Sequence, residues 1–411
     1  MIILFRHDDL AQVIILTGNF IERDWVMSQA IWRSPLLPLQ KATADPISTA
    51  LPPLGRGPRF KHDLLAYLRS YGGRLKPLSD QLREFDFDEV KGALIASTPS
   101  KQNVRSIDPD AETLWGLPAL RNILSIIPSA TKRAPEIAIQ ISSVASVGEK
   151  WLTCTFMPAL FTTKASDPAP TAQSTDAESN SPPMPSKMSI VFPTAQEIRA
   201  SLTGYSAGAS IHMKTQSPAQ AKQLSFLHPM LCHWDGFPSQ DHLDARLQPR
   251  PPSDYEIQAR KAGRGSAAPH IKTYIRFSDA SKQSIDWAMV TSANLSTQAW
   301  GAAPNASGEV RICSYEIGVV VWPGLWDEQA EGNGGEAARM VPVFGSDTAP
   351  GDPEEEESKA SGTEGVALRV GWRMPYDLPL VPYARGEMPW CTTKACDEPD
   401  WMGRVWEGYG A

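Results

Sequence analysis

The chain has 411 residues, 42% of them hydrophobic, which is enough for a packed core in two domains or one bilobal body and too apolar for a disordered chain. A net charge of −7 and a pI near 5.6 exclude a generally basic nucleic-acid coat and leave room for a local groove. Five scattered cysteines without a C-x-x-C pair exclude a disulfide framework and point to reduced thiols in an intracellular protein, while no apolar run is long enough for a signal-peptide core or a membrane span.

Residues 1–19 read as strand, turn, strand: MIILF, the polar RHDDLAQ, then VIILT and Gly18-Asn19. Residues 41–59, rich in Pro, Gly and Ala, read as loop. The segment 61–73 is apolar at 64, 65 and 68 and ends in two glycines, a helix with a C-cap. A second helix is expected over 78–87 and a buried strand over 92–97, with a boundary between half-domains near residue 100. Residues 111–129 include a helix that ends at Pro128. The run 137–144 reads as a core strand leading into Ser142, Ser143 and Ser146. Small hydroxyl residues at a strand end donate to phosphate in some proteins, and an ordinary capped turn fits the same residues.

Residues 164–188 are Pro- and Ser-rich and read as a disordered surface insertion. A strand resumes over 189–193. A helix follows over 194–202, with Thr194 and Glu197 spaced as a capping box. His212-Met213-Lys214 reads as part of a solvated loop. A short helix is expected over 219–227, with Pro218 in its first turn. Residues 236–268 are Pro-, Arg- and Gly-rich. Their Arg260, Lys261 and Arg264 either hold a nucleic-acid backbone or are solvated. The run 309–322 reads as a core strand pair that carries Glu316 into an apolar setting, where a lone carboxylate needs a partner. Residues 346–365 form an acidic, solvated insertion.

The richest stretch is 270–301, HIKTYIRFSDASKQSIDWAMVTSANLSTQAWG. It holds two strand-like runs, Thr273–Phe277 and Ile285–Thr291, around a polar turn. His270 and Lys272 are two residues apart, so on a strand they share a face. A hairpin returns Asn294 to their level. An imidazole, an ammonium and a carboxamide form a set that attacks or protonates with the first and holds anionic oxygens with the others. No carboxylate or thiolate neighbours them in sequence, so no metal site is implied. The tripeptide alone is weak evidence, as its second copy at 212–214 shows. With the hairpin and Ser-x-Asn it is specific.

The same pattern occurs once more. Phe5 precedes Asn19 by 14 residues, and Phe277 precedes Asn294 by 17, each across strand, turn, strand. Carried back from Phe5, the offsets of His270 and Lys272 fall ahead of Met1. The expectation is therefore a chain that starts just after a first His-x-Lys. The two repeats are expected to close into one pseudo-symmetric α/β body, with Asn19 and Asn294 facing each other across a single cleft.

On these residues the chain resembles the tyrosyl-DNA phosphodiesterases, a branch of the phospholipase D superfamily. The wider superfamily places an Asp shortly after the Lys. Here Arg276, Phe277 and Ser278 fill that region, as in this branch. Asp24-Trp25 and Gln29-Ala30-Ile31-Trp32 resemble the segment after the first Asn. ISSVASVGEKWL resembles a DNA-contacting loop and brings in Ser143 and Ser146. Ser-Tyr-Glu-x-Gly around Glu316 and the Pro-rich closing segment match as well. The resemblance implies an α/β fold of phospholipase D-like pseudo-two-fold duplication, with mixed sheets flanked by helices. Its two halves would be residues 1–100 and 101–411, with 164–188, 236–268 and 346–365 as flexible insertions.

It also implies a DNA-repair phosphodiesterase that needs no cofactor and works on DNA 3′ ends, single-stranded or nicked, with an attached tyrosyl peptide. One His attacks phosphorus and forms a phosphohistidine, and the other protonates the leaving phenolate and then activates water. His270 is then the acid and base. Lys272, Asn294 and Asn19 clamp the phosphate oxygens. Glu316 and Gln29 complete the catalytic set, with Glu316 orienting the attacking His, and Ser143, Ser146 and Ser296 contact DNA. The expected protein is a nuclear monomer. Read literally, these residues lack the first His and Lys, and the alternative is an inactive DNA-end-binding remnant of the same fold. A lipid phosphodiesterase is a further alternative, without a membrane-binding segment to support it.

Overall fold

A computed structural model describes residues 1–40, 50–129, 135–145, 147–164, 187–234, 260–328, 337–347 and 368–409. Ser146 and most of the three expected insertions lie outside the described residues. Fifteen strands are described in chain order: β1 (Ile2–Phe5), β2 (Leu10–Leu16), β3 (Ile31–Arg33), β4 (Leu37–Pro38), β5 (Ala93–Ser97), β6 (Ser100–Asn103), β7 (Glu136–Gln140), β8 (Lys187–Val191), β9 (Leu231–Cys232), β10 (Thr273–Phe277), β11 (Ile285–Thr291), β12 (Glu309–Ile312), β13 (Glu316–Val321), β14 (Arg339–Val343) and β15 (Arg369–Arg373). They form mixed sheets flanked by helices, the architecture expected of the phospholipase D-like fold.

The first sheet is small. β1 and β2 form the hairpin read from MIILF and VIILT, and β3 and β4 both pair with β2. The second sheet has nine strands among the described residues, with β10 and β11 at its centre. β10 pairs antiparallel with both β7 and β11, and β7 pairs parallel with β8. β13 lies between β11 and β5, so strands from either side of residue 100 share this sheet. Every residue of β10 and β11 is buried, as a central strand covered on both faces requires. β2 packs against β11 and β13, which joins the two sheets.

Two expectations need correction. The run 309–322 contains two strands, but they are not partners. β12 pairs with β6, and β13 joins the large sheet. Hydrophobic alternation marks a strand and says nothing of what it pairs with. Residues 260–268, expected inside a flexible insertion, are packed. Arg260 donates to the Lys282 and Ser281 carbonyls, Lys261 pairs with Asp377 at 2.9 Å, and Arg264 donates to the Trp234, Ala267 and Pro375 carbonyls. These cations hold loops together. The end of the 164–188 segment likewise lies in β8.

Local rules hold where the sequence states them. Helix Ala195–Arg199 starts at a full capping box, in which the Glu197 N–H donates to the Thr194 hydroxyl at 3.2 Å and the Thr194 N–H to Glu197 Oε2 at 2.7 Å. Helix Pro218–Leu227 has a second box, Ser217 with Gln220. Helix Gly57–Arg69 begins earlier than expected, with Pro58 in its first turn, and Gly57 sits where any Cβ would meet the Phe87 carbonyl at 1.7 Å.

The central hairpin has its own lock. Between Arg276 and Phe277 the register slips, and Asp286 is the extra residue on β11. Its carboxylate is 3% exposed and accepts from Arg276 Nε at 3.1 Å and from the Ser278 hydroxyl at 2.8 Å. Removing one partner strands the other charge in the core, which typically costs about 3–5 kcal/mol. Arg276→Ala is therefore expected to lower the urea midpoint strongly, and Arg276→Met with Asp286→Leu to recover most of the loss. A double variant no more stable than the single one would show that the pair does not set this register.

Candidate functional site

The site is built where three chain segments meet. The first is the stretch 17–30, which leaves β2 and returns to β3. The Ser28 N–H donates to the Ala268 carbonyl and the His270 N–H to the Ser28 carbonyl, each at 2.9 Å. Those two bonds dock the second segment, 268–272, on the first. The third is the turn 142–145 after β7. It is held on one side by His212 and on the other by Leu295, through Val144 N–H to His212 O at 2.9 Å and Ala145 N–H to Leu295 O at 3.1 Å.

Lys272 stands at the centre, 2% exposed. Its ammonium donates to the Thr17 and His270 carbonyls, both at 3.1 Å, and lies 3.0 Å from Nδ1 and 3.1 Å from Nε2 of the His270 ring. Burial lowers the ammonium to about 7, against the opposing pull of the Asp24 and Glu316 carboxylates. His270 is 5% exposed. Burial lowers its imidazole to about 4, the Lys272 charge adds to the fall, and Asp24 opposes it. Both groups stand ready to gain protons when an anion arrives.

Asn294 is oriented without ambiguity. One atom of its amide receives the Ser142 and Ser143 N–H groups at 3.0 and 2.9 Å, so that atom is the oxygen and the nitrogen is the end left for a ligand. Ser143 thus belongs to the wall of the site through its backbone. Asn19 is exposed and donates through its backbone N–H (3.0 Å) and its amide (2.8 Å) to Asp24 Oδ2, and Asp24 in turn lies 3.6 Å from His270 Nδ1. Gln29 accepts from the Thr17 hydroxyl at 3.0 Å and donates to the Asp24 carbonyl at 2.6 Å, so it braces the segment that carries Asp24. Glu316 accepts from the Ser292 hydroxyl at 2.5 Å. Burial pushes its carboxyl up, while Ser292 and Lys272 pull it down. Ser296 caps helix Thr297–Trp300 by accepting from Gln298 and Ala299 N–H, so its oxygen is already engaged.

The solvated-loop reading of His212-Met213-Lys214 is wrong. Ile211 and Met213 are buried, and the His212 N–H donates to the Ser142 carbonyl at 2.8 Å. Burial lowers the His212 imidazole, with Arg23 and Lys214 adding to the fall and Asp24 opposing it. A two-residue bridge between distant segments leaves no periodic signal. Asp24 and Ser210 were missed as site residues for the same kind of reason. Their meeting, Ser210 Oγ to Asp24 Oδ1 at 2.6 Å, spans 186 positions.

Comparisons with known proteins identify the family. Residues 1–384 match the family model described as tyrosyl-DNA phosphodiesterase. The chain is 27% identical to a probable tyrosyl-DNA phosphodiesterase of Schizosaccharomyces pombe, over 98% of this chain and 75% of that protein. It is 29% identical to tyrosyl-DNA phosphodiesterase 1 of Arabidopsis thaliana, over 96% of this chain and 59% of that one. The crystal structure of the yeast tyrosyl-DNA phosphodiesterase superposes with a TM-score of 0.58 at 18% identity, covering 95% of this chain and 76% of that one. That likeness is one of fold. With the family match across most of its length, the chain belongs to the tyrosyl-DNA phosphodiesterase family, on a phospholipase D-like α/β fold.

Proposed function

We propose that the cleft around His270, Lys272 and Asn294 binds the 3′ end of a DNA strand and takes part in hydrolysis of a 3′-phosphotyrosyl diester. One observation carries this reading. A buried ammonium and a neutral imidazole touch each other beside an amide whose nitrogen is left open, a set that a phosphate would complete. His270 gives a proton to the leaving phenolate and then takes one from water. Lys272 and Asn294 hold the non-bridging oxygens. Asn19, on the rim, reaches the same oxygens from the other repeat. Glu316 keeps Lys272 charged and, in the full mechanism, orients the attacking imidazole. Ser143 meets the strand next to the scissile phosphate, and the Ser296 hydroxyl, while capping its helix, still has a proton to donate to it. DNA repair places this work in the nucleus.

Attack on phosphorus calls for a second imidazole with its own Lys, forming a phosphohistidine. A second reading of residues 1–411 is that they bind DNA ends without turnover. Release of tyrosyl peptide from a 3′-tyrosyl oligonucleotide separates the two. Binding without release supports the second reading, and sustained release supports the first. In a chain that turns over, His270→Ala is expected to slow the chemical step by about 10²–10⁴-fold. His212→Ala should leave that step largely intact, and the reverse ranking in single-turnover assays would sink the assignment.

Anion binding should also depend on pH. Lys272 sits at about 7 without ligand and must be protonated to hold phosphate. Affinity for a 3′-phosphorylated strand is thus present below about 7 and falls above it, by up to about tenfold per pH unit for one linked proton. Fluorescence anisotropy at constant ionic strength measures this. Lys272→Met should bind weakly and show a flat profile over the same window. An unchanged slope in that variant would remove Lys272 from the phosphate site.

A further inference from the structure

Asp24 has no role in the reaction as read so far. It is fully buried, and its two oxygens are divided among three elements. Oδ1 accepts from the Ser210 hydroxyl at 2.6 Å, and Oδ2 accepts from the Asn19 backbone and side chain and lies 3.6 Å from His270 Nδ1. Lys272 does not distinguish the two ring nitrogens of His270, since its ammonium is 3.0 Å from one and 3.1 Å from the other. The Thr17 carbonyl also accepts from the ring, and among the charged groups Asp24 is the one that faces a single nitrogen, Nδ1.

We propose that Asp24 is a positioning residue that keeps a proton on His270 Nδ1 and so leaves Nε2 as the nitrogen that exchanges protons with substrate. The 3.6 Å gap is longer than a hydrogen bond, and such contacts commonly close only when substrate arrives. The inference rests on the phosphodiesterase reading for its purpose but not for its test. In the cycle, Nε2–H of the imidazolium goes to the leaving phenolate oxygen as the attacking imidazole nitrogen bonds to phosphorus and the P–O bond breaks. The ring is left neutral with Nδ1–H toward Asp24. Water then gives a proton to Nε2 as its oxygen bonds to phosphorus and the P–N bond breaks. No proton moves to Asp24 itself.

The surroundings are consistent with this role. Lys272 and His212 both oppose a positive charge on His270, and Asp24 is the carboxylate that opposes them. Burial works to raise the Asp24 carboxyl, yet Ser210, His270 and Asn19 outweigh it and hold the group below the ordinary carboxylate range.

The test is the ring ¹⁵N spectrum of His270 in the 411-residue chain at pH 7, assigned with His270→Gln. The expected result is the Nδ1–H tautomer in the unaltered chain. In Asp24→Asn, whose amide can donate to Nδ1, the proton should move to Nε2. Ser210→Ala keeps the charge and the Asn19 contacts but frees Oδ1, so the Nδ1–H preference should weaken toward a mixed population without inverting as it does in Asp24→Asn. An Nε2–H tautomer in the unaltered chain overturns the proposal even if Asp24→Asn does not fold. An unshifted spectrum in folded Asp24→Asn overturns it as well. In a chain that turns over, Asp24→Asn should lower kcat with little change in KM and move the acidic limb of the pH profile. Because the spectrum needs no turnover, failure of the phosphodiesterase reading would not be mistaken for failure of this one.

Discussion

Lys272 carries its ammonium to a position that is 2% exposed, and the rest of the site follows from what makes that tolerable. A lone cation there would give up several kcal/mol of hydration. Two carbonyls, Thr17 and His270, accept from it, and two carboxylates, Asp24 and Glu316, lie within electrostatic reach. Neither carboxylate forms a close ion pair with it. The charge is offset from a distance and stays available, with a depressed proton affinity of about 7. A close Lys–Asp pair would satisfy the lysine and leave little of its charge for a ligand.

That arrangement costs the fold something, and the sign can be worked out. Lys272 falls from 10.5 to about 7 and His270 from 6.5 to about 4 on folding. Between each pair of values the unfolded chain binds more protons than the folded one. Stability therefore rises with pH from about 4 to 6.5 through His270 and from about 7 to 10.5 through Lys272. At neutral pH the folded chain still bears the Lys272 cost. An anion bound beside Lys272 would offset that cost by supplying negative charge, which would link binding and stability through one proton.

Much of this was legible. Both strands of the central hairpin were read to the residue, because the polar turn and the apolar runs bound them sharply. The Thr194 capping box was also read directly, since it is a contact between residues three apart. His270, Lys272 and Asn294 could be grouped because strand periodicity and one hairpin relate them. Asp24, Ser210 and His212 could not. They reach the site through the docking of 268–270 on Ser28 and of 211–213 on the 142–145 turn, and neither contact has a period or a spacing. The partnering of β12 and β13 was misread for the same reason. Local patterns give elements and their faces, and long-range pairing is decided by the whole core.

The difference between the two kinds of residue also explains why the site has layers. His270 and Lys272 directly precede β10 and Asn294 follows β11, so all three are carried by the two central strands of the large sheet. Asp24 and Gln29 come from a short connection that is held by side-chain hydrogen bonds and two backbone bonds. A group that must hold a proton on one ring nitrogen has to stay within a few tenths of an ångström of it. A connection alone does not give that precision, and the buried Ser210 hydroxyl at 2.6 Å fixes the free end of the carboxylate. Ser210 in turn precedes the backbone bridge between His212 and Ser142, and Ser142 N–H donates to the Asn294 oxygen. The orientation of the imidazole and of the carboxamide thus run through one connected set of hydrogen bonds. A change that loosens the 142–145 turn should disturb proton transfer as well as phosphate binding.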